Sequence, residues 1–282
     1  MYSLPPADWR EAHRSRWDVG APPMSEGLRG SVPIHVSGDF HDLDAFRAGK
    51  DSLRDFETAE VGDVTGRSLL HLQCHIGLDT LSWSRRGASS VVGLDFSEPA
   101  VDAARSLAAD LGLGPDRAAF VAAEAVPDTS YDIVYTGVGA LNRLPDLTRW
   151  AETAAALVAP GGFLYLAEFH PLTDGLDDAT GSRITYDYFA RDAWVDETPG
   201  TYADFDAPTV HNRSVEWQRP VGEVVSAVAA AGLRIEFLHE HDVSLFERLG
   251  SLTRHEDGYH RFPAERPRIP LMYSLKATKP SA

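Results

Sequence analysis

From Ser68 onward the chain alternates short apolar runs with stretches of helical periodicity, a rhythm that restricts it to parallel strands joined by crossover helices. Residues 68–72 (SLLHL) read as a buried first strand, and 78–86 as the helix after it, stopped by Gly87. Residues 91–95 (VVGLD) form the second strand. Ser97 then caps a helix with Pro99 in its first turn and Val101, Ala104, Ala108 and Leu111 on one face, ended by Gly112. Residues 119–123, 131–136 and 163–169 read as strands three to five, with a helix over 146–158 closed by Pro160-Gly161-Gly162. A helix over 222–231 and strands over 234–239 and 271–278 complete the pattern. The expectation is an α/β fold with a seven-stranded sheet.

Two segments break the rhythm. Residues 1–60 form an arm punctuated by Trp and Pro, with one or two helices at most. Residues 170–219 carry Tyr186, Tyr188, Phe189, Trp194, Tyr202, Phe205 and Trp217. Segments this long inside a compact domain serve as lids or binding segments, or their aromatics build a small core of their own.

With 282 residues, 43% of them apolar, the chain suits one large domain with a substantial insertion. Its 26 Lys and Arg against 42 Asp and Glu give a net charge of −16, and no run of cations occurs, which weighs against nucleic acid or an anionic membrane as partner. Cys74 is the only cysteine, so neither an intrachain disulfide nor a cysteine-built zinc site is available. The first residues lack a signal-peptide pattern, and no window approaches the roughly 18 apolar residues of a membrane span. A soluble cytoplasmic protein is expected.

The chemistry concentrates at the end of the first strand. There the turn 71–77 leads into a helix start, whose N–H groups and adjoining crevice suit an electron-rich ligand group. Asp95 ends the second strand 18 residues after Gly77, where a carboxylate can accept both hydroxyls of a ribose. Together they indicate a nucleoside cofactor. A dinucleotide loop needs glycines for close approach to pyrophosphate, whereas Gln73 and His75 occupy those positions, which disfavours a nicotinamide oxidoreductase.

The string HLQCHIGLDTLSW (71–83), with VPIHV (32–36), GLDFS (93–97), PGGFLYLAEFHP (160–171), TYADFDAPTVHN (201–212), LHEHD (238–242) and PLMYSLKA (270–277), resembles a bacterial small-molecule subgroup of the class I S-adenosylmethionine-dependent methyltransferases. The resemblance implies a Rossmann-like sheet with its last strand antiparallel and helices on both faces. It places the cofactor loop on Gln73, Cys74, His75 and Gly77, the ribose acid on Asp95 and the adenine-side hydrophobe on Phe96. Glu124 falls where the family sets an acid near the adenine amine, and Thr136 under the methionine part. The family usually has an acid where His71 stands and glycines at positions 73 and 75.

Methyl transfer is an in-line displacement that needs alignment of a nucleophile and exclusion of water, plus a base when the acceptor must lose a proton. His170, at the end of strand five, is the candidate base, its alternative being a cap on the strand end. Tyr186, Tyr188 and His241 are candidate acceptor-side residues, with packing as the alternative for the tyrosines. His239 and His241 alternate on one strand end, which admits a metal reading beside that of surface groups, and no metal is assigned. The Arg-rich stretch 261–268 reads as a solvated loop. The expected product is S-adenosylhomocysteine and the partner a small-molecule acceptor, methylated on O, N or C by a monomer or homodimer. A catalytically silent binding protein on the same fold is the alternative.

Overall fold

A computed structural model of the chain describes residues 9–18, 41–122, 129–200 and 211–281, together with the backbone of Gly20–Ala21 and Val32–Pro33. Glu124, Tyr202, Phe205 and most of the strings at 32–36 and 201–212 lie outside the described residues.

Seven strands form the main sheet: β1 Ser68–Leu72, β2 Ser90–Asp95, β3 Ala118–Ala122, β4 Tyr131–Thr136, β5 Val158–Phe169, β6 Arg234–His241 and β7 Met272–Thr278. Their spatial order is β6-β7-β5-β4-β1-β2-β3. Strands β1 to β5 pair in parallel, and β7 runs antiparallel to both neighbours, as expected. The central strands are buried on both faces, so alternate residues feed different cores. Leu69, Val91, Ile133 and Phe163 point into one core, and Leu70, Val134, Leu164 and Leu275 into the other.

The helices are α1 Trp9–Trp17, α2 Leu43–Arg47, α3 Asp55–Val61, α4 Leu78–Arg85, α5 Glu98–Asp110, α6 Leu147–Leu157 and α7 Val221–Ala230. The Ser97 side chain caps α5, which buries Val101, Ala104, Leu107 and Ala108 in the first core and Ala100 against Ile76. Asp146 caps α6, whose Leu147, Trp150, Ala151 and Ala154 meet Val224 and Val228 of α7 in the second.

Among its described residues the N-terminal arm holds three helices, more than expected. Helices α2 and α3 are too short to show a period, and polar caps define them: Asp42 accepts from the Ala45 N–H, and Glu57 reaches back to the Arg54 N–H. Strand β5 begins at Val158, ahead of the Pro-Gly-Gly expected to precede it. Those glycines sit in a bulge: Gly161 has φ +79°, and a Cβ on Gly162 would lie 2.6 Å from the Asp132 carbonyl oxygen.

Among the described aromatics of 170–219, Trp217 is buried against Trp9, whereas Tyr186, Phe189 and Trp194 are exposed. Phe189 is 64% exposed and Trp194 65%, while the satellite cluster consists of Leu176, Leu249, Leu252, Phe262 and Leu271. Four of those five residues come from a second excursion, 242–271 between β6 and β7. Within it Arg266 is a tie and not a solvated charge: it donates to Thr180 O and Ser251 Oγ and lies 4.3 Å over the Phe262 ring. Among the described residues no helix is long and apolar enough to cross a membrane.

Candidate functional site

Sheet order reverses beside β1, which is flanked by β2 and β4, and a crevice of about 2490 Å³ opens at the carboxyl ends of these strands. Its floor is the turn after β1. Gln73 (φ +59°), His75 (φ +51°) and Gly77 (φ +77°) are all left-handed, so the chain keeps a glycine-type backbone with two side chains in it. Tertiary bonds hold the strained residues. Gln73 Nε2 donates to Ala140 O at 3.0 Å, and the Cys74 and His75 N–H groups donate to Leu94 O and Asp95 Oδ2 at 2.9 and 2.8 Å.

Asp95 is buried, and its Oδ1 also accepts the Ser97 N–H at 3.0 Å. Burial pushes its carboxyl up, opposed by those backbone donors. Asp95 lines the crevice beside Phe96. Helix α1 forms the facing wall. Trp17 stands edge-on to His75 at 5.6 Å with the Arg143 guanidinium 5.0 Å from its ring, and Asp18 accepts the Ser97 hydroxyl at 2.7 Å. On its other side α1 is fixed by His13 Nε2, 2.7 Å from Val215 O, and by Trp9 against Trp217.

Between β1 and β4 lies a polar group that sequence reasoning missed. Arg54, at the start of α3, donates through Nη2 to Glu57 Oε1 (2.8 Å) and Asp79 Oδ2 (3.2 Å), and the Tyr135 hydroxyl donates to Glu57 Oε1 at 2.8 Å. Asp79 Oδ1 accepts from the Ser52 hydroxyl at 2.7 Å. Burial pushes the Glu57 carboxyl up against the pull of Arg54; at Asp79 burial is outweighed by Arg54, and the carboxyl is held below its ordinary range. His71 Nδ1 is 2.8 Å from Thr80 Oγ1, and burial lowers its ring to about 4. The only sequence signal was the Ser and Arg run 52–54 ahead of a short capped helix.

On the acceptor side, Glu168 accepts four backbone N–H groups, from Gly139 (2.6 Å), Ala140 (2.9 Å), Leu141 (3.1 Å) and Phe169 (2.7 Å), and so shapes the loop after β4. His170 lies outside the crevice lining. Its Nδ1 accepts the Leu172 N–H at 3.1 Å and its Nε2 is 3.0 Å from Glu240, so the ring caps the strand end. Tyr186 lines the crevice, whereas the Tyr188 hydroxyl accepts the Val221 N–H at 3.2 Å. His241 stacks on Phe56 at 4.1 Å and bonds Ser274, away from the crevice; His239 pairs with Glu60. Thr136 is fully buried, and Gly137 after it lines the crevice.

The family model of the methyltransferase domain matches residues 70–164, which span β1 to the start of β5. This stretch is similar to a methyltransferase domain. Solved structures of like fold include a protein described as an S-adenosylmethionine dependent methyltransferase from Listeria monocytogenes, 17% identical, matching over 79% of this chain and 95% of its own with TM-score 0.58. An S-adenosylmethionine dependent methyltransferase from Mesorhizobium loti is 21% identical over 78% of this chain and 94% of its own, TM-score 0.53. The CcbJ methyltransferase from Streptomyces caelestis is 15% identical over 95% and 99%, TM-score 0.54. No curated protein matches the chain in sequence. The domain thus has the methyltransferase fold, with its crevice at the switch point beside β1.

Proposed function

We propose that this chain binds S-adenosylmethionine in the crevice and methylates a small-molecule acceptor, as a member of the bacterial small-molecule subgroup that its motifs resemble. The observation that carries the reading is the bond from the His75 N–H to Asp95, which sets a buried carboxylate against a left-handed turn at a helix start. A ribose finds its acceptor there, and the side chains of Gln73 and His75 occupy room that a pyrophosphate would need. S-adenosylmethionine supplies an activated methyl group on a sulfonium and carries no phosphate.

In this reading Asp95 takes the ribose hydroxyls, the turn 73–77 presents backbone to the nucleoside, and Phe96 packs beside the adenine. Thr136 and Gly137 lie toward the methionine part. Helix α1 forms one wall, and the segments around Tyr186 and Phe246 another, so that water is kept from the reacting atoms. A crevice larger than the roughly 300–1,000 Å³ of a single-ligand pocket leaves room for an acceptor beside the cofactor. Because both nitrogens of His170 are engaged, the geometry favours an acceptor that needs no base from it, such as a carboxylate.

Calorimetric titration with S-adenosylmethionine, S-adenosylhomocysteine and NAD tests the cofactor. The expected result is micromolar binding of the two sulfur compounds and none of NAD. Binding of NAD alone, or of none of the three, would overturn the reading.

A further inference from the structure

One wall of the crevice is positively charged in a chain whose net charge is −16. Helix α1 contributes Arg10, Arg14 and Arg16 to the lining, while its one acid, Glu11, lies outside it. Arg143 joins them from the 3₁₀ turn Leu141–Arg143, which follows β4. Its Nη2 lies 3.2 Å from Glu216 Oε1, and the Glu216 carboxylate also accepts from Asn142 Nδ2 at 2.9 Å and from the Ser214 hydroxyl at 3.3 Å. Glu216 is thus engaged on both oxygens and holds the Arg143 guanidinium by one nitrogen. The other, Nη1, is buried and has no hydrogen-bond partner.

Arg16 stands near enough to Arg143 that burial and this neighbour hold it below its ordinary value, against the pull of Asp196 and Glu216. His13 adds no charge near neutral pH, because burial and Arg143 bring its ring to about 4. Neighbouring guanidiniums on a partly buried wall repel one another, and an anion between them relieves the repulsion. A second donor stands in the same group. Trp217 is 2% exposed and lines the crevice, and its Nε1 has no partner. An indole N–H can only donate, so a buried one without an acceptor marks a place for an acceptor atom. The surroundings are flat and apolar: Trp9 packs edge-on to Trp217 at 5.9 Å, and the Arg143 guanidinium lies 5.0 Å from the Trp17 ring. Trp17 also meets His75 of the turn after β1, so this wall adjoins the proposed cofactor site.

We propose that this wall binds the methyl acceptor, and that the acceptor is a carboxylic acid with a flat apolar body, its carboxylate on Arg143 Nη1 and the Trp217 N–H. The inference rests on the methyltransferase reading of the crevice and names the acceptor's class. A planar, singly charged carboxylate matches the guanidinium fork, whereas the second charge of a phosphate is opposed by Glu216 on the same guanidinium.

The test is calorimetric titration of the protein saturated with S-adenosylhomocysteine. The probes are benzoate, phenylacetate and indole-3-acetate, their three primary amides, and inorganic phosphate. At least one acid binds, its amide binds at least tenfold more weakly, and phosphate does not bind. Arg143→Met weakens that acid at least tenfold and leaves S-adenosylhomocysteine within threefold; Trp217→Phe, which keeps a ring and loses the N–H, weakens the acid about threefold. Three results would overturn the assignment and leave the cofactor reading standing: equal binding of acid and amide, no acid bound by a protein that binds S-adenosylhomocysteine, or unchanged acid affinity in an Arg143→Met protein that still binds it. Phosphate bound in place of the acids would overturn the carboxylate in favour of another anion. Failure of the unmutated protein to bind S-adenosylhomocysteine would overturn the cofactor reading, and the acceptor class with it.

Discussion

The backbone N–H of His75 donates to Asp95 Oδ2 at 2.8 Å, tying the turn after β1 to the end of β2. One carboxylate therefore holds the loop in shape and faces the crevice. Asp95→Ala is expected to weaken S-adenosylmethionine by about 2–3 kcal/mol through loss of charge-assisted hydroxyl bonds, and to lower thermal stability as well. Calorimetry checks the first effect. An unchanged affinity would remove Asp95 from the site.

The three left-handed residues of that turn respond differently to substitution. Gly77→Ala puts a Cβ at φ +77° and 2.5 Å from the buried Phe120 ring, a combination expected to cost about 3 kcal/mol or more. Gln73→Gly relieves strain while losing the bond to Ala140 O and adding freedom to the unfolded chain, so its net effect stays within about 1 kcal/mol. Thermal unfolding of the two variants distinguishes a turn held by Gly77 from one in which all three positions matter equally.

His170→Ala should behave as a structural change. Both ring nitrogens are engaged, so the substitution is expected to cost about 1–3 kcal/mol of stability and to leave cofactor affinity and turnover within a few-fold of the original. A hundredfold fall in kcat at unchanged KM would instead assign the ring to the reaction.

Three buried histidines make stability depend on pH. His13, His41 and His71 are each lowered from 6.5 to about 4, burial being the main cause. The unfolded chain takes up their protons near 6.5 and the folded one only near 4, so their contribution is complete above 6.5 and is lost as pH falls from 6.5 to 4. Each loss reaches about 3 kcal/mol at the lower end. Asp95 and Glu168, whose carboxyls burial raises above their ordinary values of 3.8 and 4.5, act in the opposite sense. The unfolding midpoint is expected to fall from pH 7 to pH 5, and a flat profile would show the three rings to be solvated.

The strand-helix rhythm was legible in the sequence because burial on both faces of a parallel sheet writes continuous apolar runs, and caps such as Ser97 and Asp146 mark where helices begin. The places of Asp95 at a strand end and Gly77 at a helix start were legible for the same reason, each being set by a local element. The polar group at Arg54, Glu57, Asp79 and Tyr135 was not. Its members are spread over about 80 positions, and only packing α3 against the gap between β1 and β4 makes them one site. Tertiary contacts likewise turned His170 into a strand-end cap, since Glu240 and the Leu172 N–H reach its ring from β6 and from the following turn. Local periodicity depends on which residues are apolar, and that the sequence determines alone. Which carboxylates, hydroxyls and guanidinium meet in one polar group depends on distances between segments far apart in the chain, and the tertiary structure alone decided those.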